Sequence, residues 1–165
     1  MGMLSEFQQD ELWRNWISAE IRADYFADMR TRYARLHSWL IWLTLFFSGG
    51  TVFAVISNLP AEYGWLKLAL ALITTVLSLL SVVMQNPKKT AECADLHFKW
   101  NRLATEYQSL WNNVYSDDAE SKFASFVEKE AELSKASLAI PNRSKIVEKW
   151  ERHVLSHRAG APASA

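Results

Sequence analysis

His153 and His157 stand four residues apart, a spacing that puts two imidazoles on one helix face, where they could share a metal ion. No third ligand follows at a fitting distance along the chain, so neither a metal nor any other cofactor is assigned. Asp117, Asp118 and Glu120 gather carboxylates as an acid–base site would. They also follow Ser116 at the start of a helical pattern, and Asp117 with Glu120 three residues on reads as a capping box. Capping and the helix dipole account for them without catalysis. The chain has no Walker A loop, GxGxxG turn, HExxH helix or CxxC pair. These residues argue against an enzyme.

A different chemistry is written in polar side chains set among apolar ones. Lys67, Ala71, Thr74, Ser78, Ser81 and Gln85 recur at spacings of three and four, so small and polar groups share one face of a segment otherwise made of Leu, Ile and Val. In a bilayer such a stripe must meet protein or water, because lipid offers it no hydrogen bonds. Hydroxyls bonded within or between helices and the wall of an oligomeric pore fit Thr74, Ser78, Ser81 and Gln85 equally well. Upstream, Ser48, Gly49 and Gly50, with Ala54 four positions later, form a small-residue cluster suited to close helix packing or a hinge. Arg30, Arg32, Arg35, Lys99 and Arg102 are available to an anionic ligand. Solvated charge beside a membrane is the stronger account of them.

Those groups need helices to position them. Trp39 to Ser57 and Trp65 to Met84 are apolar stretches of nearly the roughly 20 residues that span a bilayer, and Lys67 is the single charge in either. Asn58 to Gly64 between them is rich in turn residues. This pattern predicts an all-α protein: an integral membrane helical hairpin with two transmembrane helices, continuous with a cytoplasmic helical bundle or coiled coil. Arg30, Arg32 and Arg35 before the hairpin and Lys88 and Lys89 after it place both termini in the cytoplasm by the positive-inside rule. Trp39, Trp42, Tyr63 and Trp65 suit the two interfacial belts.

The predicted organisation is an N-terminal cytoplasmic amphipathic helix over residues 1–37, the hairpin over 38–85, C-terminal cytoplasmic helices over 86–157 and a disordered tail over 158–165. In the first segment Trp13, Ile17, Ile21, Tyr25, Met29 and Tyr33 recur every fourth residue, with Trp16 and Phe26 widening the stripe. Packing on the other cytoplasmic helices is the favoured use of that stripe, over lying on the bilayer. After the hairpin, Cys93, Leu96, Trp100, Leu103, Tyr107, Leu110 and Val114 alternate at three and four, an a/d seam of three heptads. Its partner is either the chain's own N-terminal arm or the same helix of a neighbouring copy. A further helix runs to about Leu138, Pro141 and Asn142 break the chain, and a last helix over 143–157 puts Ile146, Trp150, Val154 and His157 on one face.

The 165 residues carry no formal net charge, and acidic residues match the basic ones along the same arms. No footprint for nucleic acid results. The lone Cys93 excludes an intrachain disulfide and suits a reducing compartment. A long charged segment precedes the first apolar run, so a cleavable signal peptide is not expected.

An amphipathic basic helix, a tight two-span hairpin and then a long helix reading LHFKWNRLATEYQSLW from Leu96 to Trp111 resemble the SLATT superfamily. These are the SMODS- and SLOG-associating two-transmembrane effectors of bacterial conflict systems. The resemblance covers roughly residues 10–137. It implies a homo-oligomeric membrane effector of antiphage defence that forms a pore in, or disrupts, the inner membrane. Its trigger would be a nucleotide-generating or nucleotide-sensing partner protein, or a cyclic oligonucleotide bound between cytoplasmic helices. Two other classes stay open beside that expectation: a non-conducting membrane anchor or scaffold whose bundle recruits a partner, and a membrane sensor of cyclic oligonucleotides.

Overall fold

The computed structural model describes residues 4–48, 58, 64–84 and 86–159, apart from the side chains of Ser48, Ser81, Val82 and Ala159. All regular structure among them is helical: α1 (Glu6–Ser48), α2 (Gly64–Val83), α3 (Asn86–Asn112), α4 (Ala119–Ser137) and α5 (Ser144–Ala159). The all-α expectation holds. The described residues fall into two units, one of residues 4–29 with 92–159 and one of residues 30–91.

Helix α1 begins in a capping box. The backbone N–H of Gln8 donates to Ser5 Oγ at 3.3 Å, and the N–H of Ser5 donates to Gln8 Oε1 at 2.9 Å. With neither Gly nor Pro inside it, α1 runs on for 43 residues, so the amphipathic segment and the start of the first apolar stretch are one helix. Helix α3 opens on Asn86, and Pro87 takes the first helical position, where its missing N–H costs nothing.

The unit of residues 4–29 and 92–159 is a bundle of four helices, α1 contributing its first half. Trp13 meets Trp111 at 5.4 Å between ring centroids, and His97 Nδ1 donates to the Ala23 carbonyl at 2.8 Å, so α1 and α3 run antiparallel. Tyr107 reaches Glu130 of α4, and Trp100 reaches Ser137 near its end. These contacts make α3 and α4 antiparallel too. Arg158 of α5 pairs with Glu20, and Lys149 lies 3.6 Å from Asp28, which closes the bundle on α1.

The a/d seam forms the centre. Cys93, Leu96, Trp100, Leu103, Tyr107 and Leu110 are all buried, and Val114, in the turn past the end of α3, is half-buried. Leu12, Trp16, Ala19, Ala23, Phe26 and Met29 of α1 join the same core. The partner of the seam is therefore the chain's own N-terminal arm. A seam shared with a neighbour's α3 does not fit, because these six side chains have almost no surface left to offer.

Two boundaries differ from expectation. At the start of α4 the N-cap residue is Asp118, and its side chain makes no capping hydrogen bond. Its carboxylate instead meets Lys122 Nζ at 2.6 Å, one turn along, so the Asp117–Glu120 box is not the device that starts this helix. That lysine hydrogen bond is the largest cause holding the Asp118 carboxyl below its ordinary range, with Ser116 next. At the far end α5 continues through Arg158 and Ala159, two positions into the expected disordered tail. Residues 160–165 lie outside the described ones.

In the unit of residues 30–91, no helix among the described residues is long and apolar enough to cross a membrane. The uncharged part of α2, Leu68–Val83, measures about 24 Å at about 1.5 Å per residue, short of a hydrocarbon core of about 30 Å. Beyond Trp39, α1 is described only as far as Ser48, and the rest of the expected first span, residues 49–57, lies outside the described residues.

Candidate functional site

The polar face of α2 is the first place to look for function. Thr74 is half-buried, and its Oγ1 donates to the Leu70 carbonyl at 2.9 Å; Thr75 does the same to Ala71. Both hydroxyl protons are thus satisfied one turn back along their own helix, leaving oxygen lone pairs as the outward polar feature. Ser78 is exposed one turn beyond. The side chain of Ser81, and Gln85 altogether, lie outside the described residues, as do Gly49, Gly50 and Ala54 and the side chain of Ser48.

Around this face stands an apolar surface. Trp39, Trp42 and Phe46 on α1 are each about two-thirds exposed, and so are Trp65 and Leu68 on α2. Leu72, Ile73, Val76, Leu79, Leu80 and Val83 continue the exposure to the end of α2. Soluble monomers rarely carry contiguous apolar patches above roughly 300–600 Å². In the other unit Trp16, Phe26, Trp100, Leu103 and Tyr107 are buried, while Phe7, Phe98, Tyr115 and Leu138 are exposed.

The five basic candidates do not form one site. Arg30 and Arg35 line a shallow cleft of about 630 Å³ with Trp39 and Trp42, in the same unit as Arg32. Lys99 and Arg102 belong to the bundle, where each meets a carboxylate one turn away, Asp95 at 2.7 Å and Glu106 at 3.2 Å. Glu106 also receives Lys129 Nζ at 2.7 Å, so Arg102 is part of a tie between α3 and α4. The ion pairing explains these two cations without a ligand.

No metal centre forms around the histidines, and the described residues contain no group of three or more His, Cys, Asp or Glu placed to hold a metal. His157 Nδ1 donates to the His153 carbonyl at 2.9 Å, and the two rings lie 4.3 Å apart. Trp150 packs edge-on to His153. This is a ring ladder on the outer face of α5.

No family model, curated protein or solved structure matches this chain.

A second site, in the bundle, was not legible in the sequence. A cleft of about 750 Å³ opens between the first half of α1, the end of α4 and the turn into α5. Arg22 is fixed there by neutral partners: Nη1 donates to Ser134 Oγ at 2.6 Å, and the guanidinium stacks on Trp100 at 4.6 Å. Trp100 Nε1 donates to Ser137 Oγ at 3.1 Å, and Ser137 Oγ donates to the Leu133 carbonyl at 2.7 Å. Tyr25 donates its hydroxyl proton to the Pro141 carbonyl at 2.6 Å and accepts the Arg143 N–H at 3.3 Å, which pins the turn to α1. The one available sequence signal was Arg14, Ser18 and Arg22 at i, i+4, i+8 beside the apolar row Ile17, Ile21 and Tyr25.

Proposed function

We propose that the chain is a two-span protein of the bacterial inner membrane, with both termini and the helical bundle cytoplasmic, that acts as a homo-oligomeric, membrane-permeabilising effector of antiphage defence. The observation that carries the membrane part is the exposed apolar surface on α2 and the described end of α1, where Trp39, Trp42, Phe46, Trp65 and Leu68 are each about two-thirds exposed. Lipid is the partner that removes such a surface from water at about 25 cal/mol per Å². Lys67, in the first turn of α2, has a stem long enough to snorkel from within the span.

The defence role rests on the resemblance to the SLATT effectors, and the pore on the α2 stripe. One hairpin cannot enclose a path, so copies must assemble. Because the α3 seam is consumed within each bundle, assembly runs through the membrane segments, with Thr74, Ser78, Ser81 and Gln85 of adjacent copies facing one another. The linked signal would come from a nucleotide-generating or nucleotide-sensing partner.

The non-conducting anchor keeps a specific observation in its favour: Thr74 and Thr75 already satisfy their hydroxyl protons within α2. Dye leakage from vesicles of phosphatidylethanolamine and phosphatidylglycerol carrying the purified chain separates the two readings. Leakage that falls at least tenfold in a folded Ser78→Leu, Ser81→Leu variant supports the pore. Leakage unchanged by that variant removes the stripe from the mechanism, and tight vesicles with the protein inserted leave the anchor.

A further inference from the structure

We infer that the bundle cleft on α1 is a binding site for a small organic carboxylate with an aromatic or branched apolar body. The inference does not depend on the membrane reading, because every residue it uses belongs to the bundle.

Two parallel rows on α1 shape the ligand. Arg14, Ser18 and Arg22 follow one another by single turns and give a polar row with a cation at each end, about 12 Å apart at about 1.5 Å per residue. Ile17, Ile21 and Tyr25 make an apolar row beside it. Across the cleft, Leu138 stands 84% exposed next to the buried Ile140, so its side chain is open to a bound apolar group. A flat or branched hydrocarbon body fits between Leu138 and the Ile row, with its acid group on the polar row.

The charges select the acid. Neither Arg14 nor Arg22 has an ion-pair partner among the described residues, and the single hydrogen bond that holds Arg22 uses one of five guanidinium N–H donors. The remaining donors can take a carboxylate in bidentate fashion, and the Trp100 stack has already fixed the plane they lie in. Glu151 on the opposite rim leaves the cleft with a surplus of one positive charge, which suits a monoanion better than a dianion. The volume of about 750 Å³ lies within the range of about 300–1,000 Å³ usual for small-molecule sites.

The test is calorimetric titration of the full chain in lipid nanodiscs with 2-naphthoate, against its uncharged isostere 2-naphthamide and against empty nanodiscs. One saturable site per chain is expected, with Kd between about 10 µM and 1 mM and the amide at least about tenfold weaker. Arg14→Gln with Arg22→Gln should weaken naphthoate about ten- to a hundredfold. Glu151→Gln, a surface change, should tighten naphthoate about two- to fivefold and leave the amide unmoved. Equal binding of acid and amide, uptake no greater than by empty nanodiscs, or naphthoate affinity indifferent to the Glu151 and paired Arg changes overturns the assignment.

Discussion

Replacing Trp100 by Phe tests whether the seam belongs to one chain or to two. The indole is wholly buried, donates to Ser137 and carries the Arg22 guanidinium on its face. Phe keeps an aromatic face for Arg22 but loses the N–H bond, about 0.5–1.5 kcal/mol. It also leaves the space of the missing ring unfilled; full truncation of a core Trp or Phe costs about 3–5 kcal/mol, and a partial one about half of that. Ser137 Oγ keeps its bond to Leu133, so no orphaned group adds to the cost. The sum is about 2–4 kcal/mol, or a fall of roughly 8–30 °C in the unfolding midpoint of a bundle of about 90 residues. Near-ultraviolet circular dichroism of the full chain reads that midpoint, and repeating the melt over a tenfold range of protein at fixed protein-to-detergent ratio gives its concentration dependence. An intrachain seam predicts the drop with no dependence on concentration. A variant that melts like the parent but loses its oligomer would refute the intrachain packing.

Three further outcomes follow from buried polar groups. Asp24 has its carboxyl pKa raised above the ordinary 3.8, first by burial and then by Glu20, against the opposing pull of His153 and His97. A raised acid favours folding while protonated and loses that benefit as pH climbs through the folded value, so Asp24→Asn should raise the melting midpoint at pH 7, with the gain vanishing below about pH 3.8. Tyr107, wholly buried, gives its hydroxyl proton to Glu130 at 2.9 Å, and burial ahead of that carboxylate drives its pKa far upward; Tyr107→Phe should cost about 1.5–3 kcal/mol in urea unfolding. Burial pushes the Cys93 thiol up to about 11, with Glu92 adding to it. Iodoacetamide at pH 8 should therefore label folded protein at least tenfold more slowly than protein in urea, as read by mass spectrometry.

How far the fold was legible depended on which physical signal each part uses. The seam from Cys93 to Leu110 announces itself because large apolar groups at three- and four-residue spacing have one place to go. Its partner could not be read, since the a/d pattern of an intrachain pair is identical to that of a pair of copies. The small residues that let α1 and α3 approach, Ala19, Ala23 and Ala104, are buried too, but alanine is common on either face of a helix and carries little periodic signal. The S-x-x-Q at Ser5 and Gln8 forms a capping box that was not singled out in the sequence, whereas the one expected at Asp117 lost to a lysine four residues along from Asp118. Nothing local marks Arg22 as a neighbour of Trp100 and Ser134, because those contacts join positions far apart in the chain.

The bundle and the apolar helices deal with their polar groups in different ways. In the bundle, charged groups pair between helices: Arg158 pairs with Glu20 and lies 4.2 Å above the Trp16 ring, and Glu106 joins Arg102 to Lys129. On α2 the hydroxyls of Thr74 and Thr75 turn back to their own helix while leucines fill the outward surface. Backbone that satisfies its polar groups locally and presents hydrocarbon outward is the arrangement that lipid demands and water opposes. On the proposed reading, lipid is the phase that covers this surface. A bundle already closed on its own seam is then free to respond to a ligand in its cleft without first coming apart.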